Sequence, residues 1–209
     1  MKGIYASALV ALLSLPLAAN AQYASRGSAS GYAGPYANLS YTLGEVRLVA
    51  EDPDGADDAD GIRLAGSALL HPDFFVAGAL STLGSDGPNG QDTDLFEVGF
   101  GMRHALSPRL DVLGIAGIVR EDRSFGNGRA DDDDYGPSLT GGVRAALTPV
   151  IEVGGYLNYV ELFGDGDLGL NGEGLYHLTP NFSLLAGVGL SDSTREANIG
   201  ARWNFQPTH

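Results

Sequence analysis

"RHALSPRLDV" fills residues 103–112, and "RAALTPVIEV" repeats its plan at 144–153. Each has an Arg, a short apolar run, a Ser/Thr-Pro step and then an acid. Two looser copies stand at 68–76, "ALLHPDFFV", and at 176–184, "YHLTPNFSL". In all four an apolar run ends, Pro follows, and another apolar run begins. Pro cannot donate to a central strand ladder and is favoured in tight turns. The four copies therefore read as short turns between strands, set along one rim of a sheet.

The segments between these turns alternate with period two. In 109–120 one face carries Leu110, Val112, Gly114, Ala116 and Ile118. The last segment splits into Ala197, Ile199, Ala201, Trp203 and Phe205 against Asn198, Gly200, Arg202 and Asn204. One face is apolar throughout, and the other is small or polar with scattered charges. Strands of about ten residues with this alternation are the mark of a membrane-spanning barrel. A soluble β-sandwich also alternates, but its apolar face is a core opposed by solvent. Here the opposite face holds Glu97, Arg103, Arg144, Glu152, Glu173 and Arg202 beside many glycines.

The expected fold is all-β, a closed antiparallel barrel of ten strands. The expected strands are 36–49, 60–70, 74–83, 95–105, 109–120, 135–147, 151–163, 168–178, 182–191 and 196–205. Eight strands is the alternative if 164–178 folds differently. The first strand is the least regular, and its slip near Gly44 predicts a bulge. The links 50–59, 84–94, 121–134, 164–167 and 192–195 are expected to be the longer ones.

Residues 1–21 read as a secretory signal peptide: Lys2, an apolar stretch through Leu17, and the small-x-small end at Ala19 to Ala21. The apolar run is too short for a membrane anchor. Residues 22–35 are Gly/Ser-rich and read as a flexible leader, 36–205 as the barrel, and 206–209 as a tail. Without the signal the chain has 11 Arg against 26 acids, a formal charge of −15, and no Lys or Cys. That excludes a disulfide framework and a nucleic-acid partner, which needs a basic footprint. An exported chain without a later apolar helix enters a membrane as a closed barrel. Its amino terminus then starts in the periplasm, so the Pro turns are periplasmic and the longer links face outward.

The signal, the short Pro turns, the acidic links and the closing "IGARWNF" together resemble the small outer-membrane barrels of Gram-negative bacteria. These are the OmpA/OmpX-like, porin-superfamily group. The resemblance covers 36–205. A fainter likeness points to vesicle-borne barrels of plant-associated bacteria, implying a barrel that is also shed in vesicles. By the same resemblance Gly200, Trp203 and Phe205 form the assembly signal read by the barrel assembly machinery. Its pattern usually ends at the aromatic, whereas here "QPTH" follows Phe205.

Three constellations are candidates for function. The first is a lumen charge network of Arg63, Glu97, Arg103, Asp111, Arg144, Glu152, Glu173 and Arg202. Arg103 and Asp111 are symmetric about the Ser107 turn, and Arg144 and Glu152 about Thr148. Each pair is expected to face across its hairpin, forming either a salt-bridged plug or a charged constriction. The second is the acidic link, where Asp52, Asp54, Asp57, Asp58 and Asp60 offer oxygen ligands for a weak divalent cation, Ca²⁺ or Mg²⁺. The spacing is not an EF-hand, and a solvated negative loop explains it as well. No other cofactor is expected. The third is an aromatic girdle of Tyr41, Phe96, Phe100, Tyr159, Tyr176, Trp203 and Phe205.

Catalysis is not expected. His71, His104, His177 and His209 cluster at the Pro-turn end, away from the acidic links, and there is no Cys nucleophile. The expected function is a structural or surface-interaction role through acidic outward loops. Its partners are outer-membrane lipid and lipopolysaccharide. The alternative is a small cation-favouring passive channel.

Overall fold

The computed structural model describes residues 39–53, 58–85, 90–125 and 131–205. The expectations for 1–35 and 206–209, and for Asp54, Asp57 and His209, fall outside them. Ten strands follow one another: β1 (Leu43–Pro53), β2 (Ala59–His71), β3 (Phe74–Gly84), β4 (Gln91–Ser107) and β5 (Leu110–Phe125). They continue as β6 (Asp132–Ala146), β7 (Ile151–Leu162), β8 (Asp165–Thr179), β9 (Phe182–Ser191) and β10 (Thr194–Asn204). Every pairing is antiparallel and between sequence neighbours, and β1 pairs with β10 to close the barrel. Residues 165–179 form β8, which excludes the eight-strand alternative.

The burial is inside out, as a membrane barrel requires. Leu48, Ile118, Val188 and Ile199 are exposed, while Arg144, Glu152 and Arg202 are buried at 4% exposure each. An interior of charge under an apolar exterior also rules out the sandwich. Closure leaves no ladder edge for detergent to attack. The unboiled chain is therefore expected to migrate differently from the boiled chain on an SDS gel. Equal mobility would contradict a closed barrel.

Several boundaries differ from expectation. β1 begins at Leu43, not at residue 36, and runs on to Pro53. No bulge lies at Gly44, which pairs in unbroken register with Trp203 and Gly66. The register shifts instead at Leu69/His71, Ala105/Ser107 and His177/Thr179. Each shift precedes a Pro, where the missing N–H ends the ladder.

Two supposedly longer links are two-residue turns. Leu162 pairs with Asp165, and Phe163 and Gly164 have φ of 54° and 80°. That is a type I′ signature, which suits the right-handed twist of the strands it joins. Only Asp192 and Ser193 separate β9 from β10. The three remaining longer links all fall between β1 and β6. Their strands also extend further than expected, so Glu121 to Phe125 and Asp132 to Asp134 belong to β5 and β6.

Candidate functional site in the barrel lumen

Arg202 is the hub of the buried ion pairs, two residues from the end of β10. Its position on β10 is fixed by alternation, with Ala201 and Trp203 turned to the exterior. Its guanidinium bonds Glu45 through Nε, Glu173 through Nη2 at 3.0 Å, and Glu152 through Nη1 at 3.3 Å. Arg47 adds bonds to Glu45 at 2.6 Å and Glu173 at 2.7 Å, and Nε of Arg144 donates to Glu152 at 2.8 Å. The Tyr156 hydroxyl donates to Glu173 at 2.8 Å. Three guanidinium groups thus meet three carboxylates, and the layer is neutral. This matching is what burial of ions demands, because each unpaired member would be costly.

The half beside β2–β5 is different. Arg63 and Glu97 approach to 3.6 Å, with side chains 36% and 27% exposed, so solvent reaches them. Ser138 Oγ donates to Glu97 at 2.9 Å. Arg103 lies 3.5 Å from Asp111. The hairpin pairs are therefore in contact, but not directly opposite. Arg103 pairs with Leu113 in register, Asp111 with Ala105 and with Arg144 of β6, and Arg144 with Gly154. Each charge stands two residues from the position opposite its partner, and the long Arg side chains reach diagonally.

The Pro-turn end is sealed by residues preceding β1. Leu39 and Tyr41 turn inward and pack with Phe75, each at 5% exposure or less. Tyr41 and Phe75 have ring centroids 5.0 Å apart. The guanidinium carbons of Arg103 and Arg144 sit over the Tyr41 ring, 4.7 and 4.6 Å from its centroid. Tyr41 therefore belongs to the interior and not to the girdle. Burial pushes its hydroxyl up to about 12, so the ring stays neutral. The Phe75 ring fits because Gly101 lies beneath it: a Cβ there would come within 2.2 Å of the ring.

A serine, a histidine and a glutamate also line up. His177 Nδ1 is 2.6 Å from Ser183 Oγ, and its Nε2 is 3.6 Å from Glu152. Ser183 has no exposed surface, and Glu152 is already bound by Arg144 and Arg202. His71 and His104 lie beside the Pro turns.

Of the acidic link, Asp52 stands 3.5 Å from Arg195. Among the described residues no group of three or more His, Cys, Asp or Glu is placed to hold a metal. Trp203 is on the exterior and meets Phe182 edge-on at 5.7 Å, while Phe74 stacks on Phe100 at 5.6 Å.

Sequence reading missed Glu45, Arg47, Tyr156 and Tyr41. Glu45 and Arg47 alternate with Val46 and Leu48, the same signal that located the other lumen residues. Tyr156 shares its face with Glu152 and Asn158. No periodicity marks Tyr41, because it has left the wall.

Residues 6–205 match the family model described as outer membrane protein beta-barrel domain. Similar solved structures include the KdgM porin, 14% identical, covering 79% of this chain and 99% of that one, with a TM-score of 0.44. Ail, the attachment invasion locus protein of Yersinia pestis, is 11% identical over 80% of this chain and 99% of its own, with a TM-score of 0.43. The N-terminal β-barrel domain of Pseudomonas aeruginosa OprF is 13% identical over 79% and 99%, with a TM-score of 0.39. No curated protein matches the sequence.

Proposed function

The chain belongs to the outer membrane β-barrel family and lies in the bacterial outer membrane, and from that premise we propose a non-enzymatic barrel, closed at rest, that works through its outer surface. The observation that carries this is the filled interior. The Arg47, Arg144 and Arg202 layer occupies one side, and Leu39, Tyr41 and Phe75 seal the other. A lumen packed with its own side chains presents no route for solute. What remains available is the Asp-rich end, taken as the outward one. Its carboxylates favour divalent cations, and through them the phosphates of lipopolysaccharide, over anionic solutes.

Catalysis has no place in this reading, because Ser183 is enclosed and its histidine faces an occupied carboxylate. The alternative, a small cation-favouring channel, draws support only from the solvent-reached Arg63–Glu97 pair. Gly200, Trp203 and Phe205 are taken as the strand that the assembly machinery reads.

The test is conductance. The refolded mature chain in a planar bilayer is expected to be silent while shown to be folded by its gel mobility. Discrete cation-selective steps from the unaltered chain would replace this reading with the channel.

A further inference from the structure

We infer that Leu39–Tyr41 is a displaceable stopper, and that its withdrawal opens a water path past Arg63 and Glu97. The inference rests on the reading of a barrel closed at rest. It concerns which part of the closure is permanent.

The wall begins at Leu43, which pairs with both Asn204 and Ser67. Thr42 is the last residue tied to it, accepting from Phe205 N at 2.9 Å and receiving Leu69 N on its hydroxyl at 3.2 Å. Leu39, Ser40 and Tyr41 are held by wall side chains. Arg103 Nη1 donates to the Leu39 carbonyl at 3.3 Å, Arg144 Nη1 to the Ser40 carbonyl at 2.9 Å, and Ser67 Oγ to the Tyr41 carbonyl at 2.8 Å. These three residues can leave without breaking any strand pairing.

The segment covers polar groups of the wall. The Tyr41 hydroxyl interacts with the Asp111 carboxylate, and Asp111 Oδ2 lies 3.5 Å from Arg103. Withdrawal of the segment would leave this pair to water.

A path lies ready above the stopper. Solvent already reaches Arg63 and Glu97. Between that level and Phe75, the inward positions of β2, β3 and β4 are Ala65, Ser67, Ala77, Ala79 and Gly99. All are small. The layer beside β7–β10 has no such freedom, since its side chains belong to the wall and are bound to one another.

The test uses three refolded proteins in planar bilayers: the mature chain, its Leu39→Gly/Tyr41→Gly variant, and a chain shortened to begin at Thr42. Gel mobility checks that each is folded. The double variant keeps every strand residue, and the shortened chain removes the same side chains without adding glycines, so either one that shows the folded gel mobility tests the stopper. The expected result is a silent mature chain and discrete steps from both altered proteins. Adding Glu97→Gln to the double variant should reduce the cation preference of those steps. A silent, folded double variant overturns the stopper while leaving the closed barrel standing. Steps already present in the mature chain and unchanged in the variants overturn both.

Discussion

Replacing Arg202 with alanine is expected to lower the unfolding free energy by about 3–5 kcal/mol, the range for breaking a buried ion pair from one side. Arg202 touches Glu45, Glu152 and Glu173, and all four side chains are 4–6% exposed. Without it, Arg47 and Arg144 must balance three carboxylates. Arg202→Lys should recover only part of the loss, because an ammonium cannot span three acceptors as a planar fork does. The readout is the urea midpoint of refolded protein in lipid vesicles. A change under about 1 kcal/mol, the value of a surface pair, would mean the layer is solvated and not buried.

Placing Arg at position 199 is the second large effect, expected to cost about 2–4 kcal/mol, the penalty for a cation on the lipid face at the bilayer midplane. Ile199 is 62% exposed and lies on β10 halfway between Arg195 and Trp203. In a water-soluble barrel an exposed substitution of this kind would stay within about 0.5 kcal/mol. The same urea titration in vesicles therefore separates the two environments. A near-neutral Ile199→Arg would show that this face does not meet hydrocarbon.

The fold was legible because alternation is local. From Leu110 to Ile118, and from Ala197 to Trp203, every second residue is apolar and outward, and counting between Pro steps gave ten strands. Extent was less legible. Asp-rich and Glu-rich stretches such as 121–125 and 132–134 carry turn-like composition, yet pairing with neighbouring strands carries them on as ladder. The tight turn at Phe163–Gly164 was hidden by the acids around it. Within the lumen, the Arg103–Asp111 and Arg144–Glu152 contacts were expected from symmetry, but direct opposition was not met, because both ladders run two residues off that symmetry. The seal was the least legible part. Leu39 and Tyr41 owe their places to arginines some sixty and a hundred residues away in sequence, and no periodic pattern records such a contact.

The two rims of the barrel differ sharply in charge. Among the Pro turns at one end, Asp73 is the only acid, whereas β4–β6 alone carry Asp92, Asp94, Glu121, Asp122 and Asp132 to Asp134 at the other. To reverse its insertion the protein would have to draw that whole array of carboxylates back through hydrocarbon, each ion at a steep penalty. The central layer of three arginines and three glutamates offers no such obstacle, being neutral by pairing. Orientation is thus fixed by a barrier to return, independent of the depth of the final energy well. A barrel only modestly stable would still keep its facing for as long as the cell envelope lasts.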